Sequence, residues 1–157
     1  MAGLNLDIPG WRRLELIHLV LDLNGTLALD GALIPGVKKA ISSLSRDLTC
    51  HLVTADTFGT AGDLLGPEVN LAIIKPGGES GQKLKLVESL GAETVAALGN
   101  GANDAEMLGA ASLGIAVLGA EGAHLSALQA ADVVAPGPLE ALGLLLHPDR
   151  LRATLRR

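Results

Sequence analysis

Aromatic residues are scarce in this 157-residue sequence, which contains one Trp, one Phe and no Tyr. A hydrophobic core must therefore be built from aliphatic side chains, and helices packed on a sheet rich in Leu, Ile, Val and Ala meet that requirement. The length is typical of one domain, so we expect a single domain that spans residues 1–157.

Cysteine, positive charge and long hydrophobic runs are also scarce. The single cysteine, Cys50, excludes a disulfide within the chain and favours a reducing compartment. The formal net charge of −5 provides no basic surface of the kind that binds nucleic acid. No apolar run approaches the roughly eighteen residues of a membrane span, and the N-terminus lacks the features of a signal peptide. We therefore expect a cytoplasmic protein that binds neither nucleic acid nor membrane.

Short apolar segments alternate with helical segments along the chain, and Gly or Pro stands at the joins. The predicted strands span residues 4–7, 14–22, 48–54, 69–74, 94–98, 113–118 and 132–135. The predicted helices span residues 35–45, 57–65, 80–90, 103–110, 121–130, 138–146 and 148–155, and residues 25–34 predict a turn or small hairpin. This alternation predicts a three-layer α/β/α Rossmann-like fold with a mainly parallel sheet and an N-terminal β-hairpin.

Polar residues follow the predicted strands at the points where the strands end. Residues 22–27 read Asp-Leu-Asn-Gly-Thr-Leu, Thr54 ends a second strand, and Gly99-Asn100 follow a third. In a parallel sheet the ligand lies at the carboxyl ends of the strands, so these side chains are expected to meet at one edge.

Four motifs in this order resemble those of the haloacid-dehalogenase superfamily. Residues 22–27 resemble the motif Asp-x-Asp-Gly-Thr-Leu, and residues 52–54 resemble the apolar strand ending in Thr. Residues 99–104, Gly-Asn-Gly-Ala-Asn-Asp, resemble Gly-Asp-Gly-x-Asn-Asp. Lys83, at a helix start, matches the third-motif lysine better than Lys75 or Lys85 because of its spacing to the last motif.

Residues 23–28, 52–60 and 98–104 look like the small proteins described as soluble P-type ATPase-like, which resemble the phosphorylation domain of ion pumps without the membrane part. The intervals between the motifs leave no room for a cap domain, so the resemblance implies a cap-less phosphatase. Ion pumping is not expected, because the sequence has neither a membrane span nor room for a nucleotide domain.

The resemblance implies an Mg²⁺-dependent phosphohydrolase or phosphotransferase in which Asp22 forms an aspartyl-phosphate. The cofactor implied is Mg²⁺, held by Asp22, the backbone carbonyl of Asn24 and Asp104. The resemblance implies catalytic roles for Asp22, Asn24, Thr54 and Lys83, phosphate binding by Asn24, Gly25, Thr54, Ala55 and Lys83, metal binding by Asp22, Asn24, Asn100 and Asp104, and supporting roles for Thr26 and Asn103.

Two departures from the family pattern predict impaired turnover. Asn24 replaces the acid that protonates the leaving group, and such a loss typically costs about 10²–10⁴ in rate. Asn100 replaces a charged metal ligand, so metal affinity should fall. Because Mg²⁺ and Lys83 then outweigh Asp22 and Asp104, the occupied site should bind a phosphate dianion well but turn it over slowly.

Other interpretations stay open at this point. A catalytically inactive phosphate-binding or regulatory module is the first, and a 2-haloacid dehalogenase is a less favoured one. The partner is expected to be a small phosphorylated substrate or a phosphorylated macromolecule. A homo-oligomer in which Trp11 of the hairpin covers a neighbouring site is a further interpretation, although Trp11 is expected rather to cover its own sheet. His18 and His51 are expected to be core or edge residues, and Asp56 is expected to cap a helix.

Overall fold

The computed structural model describes residues 2–55 and 61–157. The strands are β1 (Leu4–Ile8), β2 (Arg12–Leu16), β3 (His18–Asp22), β4 (Ala28–Leu29), β5 (Ala32–Leu33), β6 (Thr49–Thr54), β7 (Val69–Ile73), β8 (Val95–Gly99), β9 (Leu113–Val117) and β10 (Val133–Ala135). The helices are α1 (Val37–Leu44), α2 (Ala61–Leu64), α3 (Glu79–Leu90), α4 (Ala105–Ala110), α5 (Leu125–Ala130), α6 (Pro138–Leu146) and α7 (Pro148–Leu155).

Six strands form one parallel sheet in the order β10-β9-β8-β3-β6-β7, and helices cover both of its faces. Strand β3 shows why the central strands are apolar throughout. Leu19 and Leu21 point into the core cluster shared with α1 and α6, whereas Val20 points into the cluster shared with α3 and α4. The predicted Rossmann-like α/β/α fold and the antiparallel N-terminal hairpin of β1 and β2 are both confirmed.

The prediction of one strand over residues 14–22 is wrong, because the chain breaks between β2 and β3. Leu14 and Leu16 are buried, and so are Leu19 and Leu21, so the phase of burial changes between the two pairs. One continuous strand would send the two pairs to opposite faces. The break at Ile17, which is 47% exposed, brings all four leucines into the same core cluster.

The helix predicted over residues 121–130 starts later than expected, at Leu125. Gly122 has a positive φ of 78° and its amide donates to the Gly119 carbonyl, which closes a tight turn before the helix. The His124 side chain then accepts a hydrogen bond from the Ser126 amide and caps α5. Glu121 consequently lies in a loop rather than on a helix.

The helix predicted over residues 57–65 corresponds to α2 at its C-terminal end. Residues 57–60 and the predicted cap, Asp56, lie outside the described residues. Within the described ranges, no helix has the length and apolar character needed to cross a membrane. Trp11 is partly buried against the protein's own core, and the Arg12 guanidinium lies 4.0 Å from its ring centroid.

Two histidines pair across neighbouring strands. The Nδ1 atom of His18 lies 3.1 Å from Nε2 of His51, so one imidazole donates to the other. Burial lowers the pKa of both residues, and the neighbouring His18 lowers the pKa of His51 further. Both rings are therefore favoured in the neutral form, as expected for satisfied core residues.

This histidine pair should make the free energy of unfolding depend on pH. A histidine with a lowered pKa in the folded state binds fewer protons than in the unfolded chain, so stability is lost as the pH falls below about 6.5. We expect His18→Asn, which retains a polar partner but does not titrate, to reduce the loss of stability measured by urea unfolding between about pH 7.5 and 5.5. Identical pH dependence in the variant and the native protein would rule out this contribution.

Candidate active site

A cavity of about 500 Å³ opens at the carboxyl ends of the parallel strands. Asp22 is the last residue of β3, Thr54 is the last residue of β6, and Asn100 directly follows β8. Parallel strands place their carboxyl ends at one edge, which is why side chains from distant parts of the sequence meet here. The cavity is lined by Asp22, Asn24, Gly25, Thr54, Ala55, Ile74, Glu79, Lys83, Asn100, Gly101, Ala102, Asn103, Asp104 and Glu121.

Lys83 lies at the charged centre of this cavity. Its Nζ donates to Asp22 Oδ1 at 2.9 Å, to Asp104 Oδ1 at 2.7 Å and to Asn103 Oδ1 at 3.0 Å. These contacts use all three donors of the ammonium group. Lys83 is 2% exposed, Asp22 8% and Asp104 1%, so each charge depends on its partners for stability.

These contacts set the protonation states of the site. Burial, followed by the negative charge of Asp104, raises the pKa of Asp22 to about 6, while Lys83 and the Thr26 hydroxyl act in the opposite direction. Burial lowers the pKa of Lys83, but the two carboxylates outweigh burial and hold its pKa above the ordinary value. At neutral pH the Lys83 ammonium is therefore charged and Asp22 is mostly ionised.

The turn after Asp22 is built by backbone hydrogen bonds. The Leu23 carbonyl accepts from the amides of residues 26–28, and Gly25 has a positive φ of 79°. We call residues 99–104, which form the last of the four motifs, the fourth-motif loop. A Cβ atom at Gly25 would lie 2.6 Å from Asn100 Nδ2, so only glycine lets this turn approach that loop. The Thr26 hydroxyl lies 2.9 Å from Asp22 Oδ2, which orients the carboxylate.

The fourth-motif loop is organised by Asp104. Its Oδ2 accepts hydrogen bonds from the Asn100 amide at 3.0 Å and from the Gly101 amide at 2.9 Å. Its Oδ1 accepts from Lys83, so both oxygens have protein partners. A Cβ atom at Gly99 would lie 2.6 Å from Asp104, which explains the glycine that begins the motif. Asp104 thus holds both the loop and Lys83 in place.

The two amides that replace the family's acids have different surroundings. Asn24 is exposed, lines the cavity and has no side-chain hydrogen bond within residues 2–55 and 61–157. Asn100 Oδ1 lies 3.1 Å from the Thr26 hydroxyl, and its Nδ2 donates to the Gly122 carbonyl at 3.2 Å. Asn24 is therefore free to face a ligand, whereas Asn100 connects three segments of the chain.

Two charged residues of the cavity lining were not identified from the sequence. Glu79 begins α3 and Glu121 lies in the loop after β9. They add two negative charges to a site where Lys83 is the one cation among the described lining residues. The expected excess of positive charge in an Mg²⁺-occupied site is therefore wrong, because the sequence count omitted both glutamates. The rival lysines, Lys75 and Lys85, are exposed and do not line the cavity.

The oxygen donors of this site fit Mg²⁺ that keeps several of its waters. Within the described chain, no three His, Cys, Asp or Glu side chains form a metal-binding group. Mg²⁺ commonly takes only one or two carboxylates and completes its octahedron with water and substrate oxygens. Asp22, Asn24 and Asn100 line the cavity and carry carboxylate, backbone and amide oxygens of the kind that Mg²⁺ binds.

The sequence has relatives among curated proteins, although no family model matches it. It is 43% identical over 86 residues to an uncharacterized protein of Methanocaldococcus jannaschii, an alignment that covers 52% of this chain and 92% of that protein. It is also 35% identical over 115 residues to a copper-transporting ATPase of Oryza sativa subsp. japonica. That alignment covers 70% of this chain and 11% of the ATPase, so the chain corresponds to a small part of the pump.

Solved structures share the fold. A protein from Streptomyces avermitilis MA-4680 described as a HAD-family hydrolase matches with a TM-score of 0.65 and 21% identity, covering 85% of this chain and 87% of that one. The 3-deoxy-D-manno-octulosonate 8-phosphate phosphatase of Moraxella catarrhalis, solved with magnesium and phosphate ions, matches with a TM-score of 0.67 and 15% identity, covering 90% and 94%. A zinc-transporting PIB-type ATPase matches with a TM-score of 0.60 and 26% identity, covering 78% of this chain and 20% of that one. The chain therefore shares the fold of these HAD-family hydrolases, which agrees with the resemblance of its motifs to the haloacid-dehalogenase superfamily.

Proposed function

We propose that this chain is an Mg²⁺-dependent phosphohydrolase or phosphotransferase that works through an aspartyl-phosphate on Asp22. The observation that carries the proposal is the position of the Asp22 carboxylate, at the end of β3 in an open cavity and hydrogen-bonded to Lys83. Thr54 lines the same cavity, and its hydroxyl has no hydrogen-bond partner among the described residues, so it is available to a phosphoryl oxygen. The phosphatase neighbour with bound magnesium and phosphate supports this proposal by analogy of fold.

Asp22, Asn100 and the backbone carbonyl of Asn24 would hold the Mg²⁺ ion. Bound Mg²⁺ supplies positive charge that offsets the negative charges of the nucleophile and the phosphoryl group. Asp104 was implied as a further ligand, but it is 1% exposed and its two oxygens accept three hydrogen bonds from the protein, whereas Asp22 is 8% exposed and accepts two. We propose that Asp104 instead positions Lys83 and the fourth-motif loop.

In the first step, an Asp22 carboxylate oxygen forms a bond to phosphorus, and the bond between phosphorus and the leaving-group oxygen breaks. The Thr26 hydroxyl at 2.9 Å fixes the direction of the carboxylate. The Lys83 ammonium offsets the negative charge of the phosphoryl group, and the Thr54 hydroxyl donates to one of its oxygens. The leaving oxygen takes its proton from water, because the Asn24 amide is too weak an acid to transfer one.

In the second step, water attacks phosphorus, the bond to Asp22 breaks, and inorganic phosphate leaves with the carboxylate restored. An acid at position 24 would accept the proton of this water, but the Asn24 amide cannot. Slow turnover is therefore expected for alkyl phosphates. Acyl phosphates, whose leaving groups are stable anions, depend less on the missing acid and are the favoured substrates.

The proposal is tested by incubating the protein with acetyl phosphate in the presence of Mg²⁺ or of EDTA. We expect hydrolysis that requires Mg²⁺. Absence of hydrolysis combined with Mg²⁺-dependent binding of beryllofluoride would favour the alternative, an inactive phosphate-binding module. Absence of both would overturn the proposal, and EDTA-resistant activity on a 2-haloacid would point to a dehalogenase.

Asn24→Asp should increase turnover of an aryl phosphate such as 4-nitrophenyl phosphate. The Asn24 side chain is exposed and has no hydrogen-bond partner in the part of the chain that the structure describes, so a carboxylate fits there without breaking a described contact. General acid–base catalysis typically increases a rate by about 10²-fold or more. Steady-state rates with Mg²⁺ measure the gain, and Asn5→Asp on the hairpin is the matched control. An unchanged kcat for Asn24→Asp would disprove this account of the slow turnover.

A further inference from the structure

Asn100 connects the fourth motif to a loop that follows β9. Its Nδ2 donates to the Gly122 carbonyl at 3.2 Å, and its backbone carbonyl accepts from the His124 amide at 2.8 Å. Its Oδ1 lies 3.1 Å from the Thr26 hydroxyl on the opposite side. We call residues 119–124 the β9 loop. Asn100 thus ties the β9 loop to the turn that follows Asp22.

The hydrogen-bond chemistry at position 100 requires an amide. The Gly122 carbonyl is only an acceptor, so the group that faces it must donate. An ionised Asp would place an oxygen against this carbonyl oxygen and would lose the bond. The substitution of Asn100 for the family's acid therefore has a structural consequence besides the loss of a charged ligand.

The β9 loop brings a charge to the cavity. Gly122 donates to the Gly119 carbonyl at 2.9 Å, which makes a tight turn with Glu121 at its tip. Glu121 lines the cavity and forms no ion pair with any residue in the described ranges. Lys83, by contrast, is already paired with Asp22 and Asp104. A ligand in the cavity therefore meets an uncompensated negative charge on this wall.

We propose that Asn100 is a positioning residue that holds the β9 loop so that Glu121 forms a negatively charged wall of the substrate cavity. This wall selects against phosphorylated compounds that carry a second anionic group close to the phosphate, and admits those with neutral or cationic groups. The inference rests on the proposed function, because it deepens the substrate class of the same site. It predicts that Asn100 affects the selection between ligands only by positioning Glu121.

We call the two hydrogen bonds between Asn100 and the β9 loop the clamp. Hydrogen–deuterium exchange measured without Mg²⁺ tests the clamp independently of any activity. Asn100→Asp and Asn100→Ala both remove the donor to Gly122, so amides of the β9 loop should exchange about fivefold faster than in the native protein. Asn24→Asp, which breaks no hydrogen bond, is the control and should leave the exchange unchanged. Native exchange rates in both Asn100 variants would overturn the clamp.

Binding of two non-hydrolysable compounds in the presence of Mg²⁺ tests the selection. Phenylphosphonate should bind more tightly than 4-carboxyphenylphosphonate in calorimetry. The dissociation constant of 4-carboxyphenylphosphonate divided by that of phenylphosphonate measures the selection. Glu121→Gln should reduce this ratio by about threefold to tenfold. Asn100→Ala should reduce it to a similar extent, and the double variant no further than either single change. A ratio of two phosphonates cancels effects on metal or phosphate affinity that both compounds share.

The outcomes separate the inference from the function on which it rests. Additive effects in the double variant, or an unchanged ratio in Glu121→Gln, would overturn the selection while leaving the phosphate site intact. If neither phosphonate binds, both the proposed function and the selection are wrong. A ratio that changes in Glu121→Gln but not in Asn100→Ala would show that the clamp does not position the charge.

Discussion

Asp22→Asn is expected to reduce Mg²⁺-dependent hydrolysis of acetyl phosphate by at least about 10³-fold, because an amide oxygen is not a competent nucleophile. The protein should stay folded. Asn has nearly the same size as Asp. The substitution also removes a negative charge that is repelled by Asp104, the same repulsion that helps to raise the pKa of Asp22. Lys83 keeps its 2.7 Å ion pair with Asp104. Initial rates and thermal unfolding of the same preparations measure the two effects.

Asp149→Asn is the matched control for this experiment. It makes the same chemical change on α7, where Asp149 is exposed and pairs with Arg152. We expect the control to retain the native rate. If Asp22→Asn hydrolyses acetyl phosphate at a rate close to that of Asp149→Asn, Asp22 is not the nucleophile. If Asp22→Asn fails to fold, its loss of activity is explained by instability and not by the loss of the nucleophile.

Lys83→Met is expected to lower the free energy of unfolding by about 3 kcal/mol or more at neutral pH, since removing one partner leaves buried charges unpaired. Lys83 is paired with two carboxylates that are nearly inaccessible to water, at 2.9 and 2.7 Å. Without the ammonium, Asp22 and Asp104 repel each other in the same pocket. Urea unfolding measures the loss, and Lys85→Met on the exposed side of the same helix is the control.

The destabilisation by Lys83→Met should depend on pH with a defined sign. A carboxyl whose pKa is raised in the folded state binds a proton more readily there, so lowering the pH stabilises the folded state relative to the unfolded one. The pKa of Asp22 is already about 6 and should rise further without Lys83. The cost should therefore shrink as the pH falls towards 5, and Asp22→Asn should recover part of it at neutral pH. An equal cost for Lys83→Met and Lys85→Met would contradict the buried ion-pair network.

The convergence of Asp22, Thr54 and Lys83 on one cavity follows from rules that are visible in the sequence. Asp22 and Thr54 end parallel strands, whose carboxyl ends share one edge of the sheet. The motif order and the spacing to residues 99–104 favoured Lys83 over two rival lysines. The structure places these side chains around one cavity, and their catalytic roles stay predictions that the variants above test.

The features that the sequence did not reveal depend on tertiary placement. A break at Ile17 depends on where the leucines of β2 and β3 pack, and the apolar pattern of residues 14–22 contains no turn residue to mark it. Glu121 was assigned to a helix, so its position at the cavity was missed. Likewise, no local pattern shows that the Asn100 amide donates to a carbonyl 22 residues later. Charge counts made from motif residues alone omit such neighbours.

Detection of phosphate bound covalently to Asp22 is the most direct measurement. The native protein is mixed with Mg²⁺ and acetyl phosphate, quenched in acid and treated with borohydride, and the modified residue is located by peptide mass spectrometry. We expect the label at Asp22 in the native protein and no label in Asp22→Asn. The amount of label should exceed what an efficient phosphatase accumulates, because the second step is slow. Hydrolysis that proceeds without any label at Asp22, or a label on another residue, would contradict the aspartyl-phosphate mechanism.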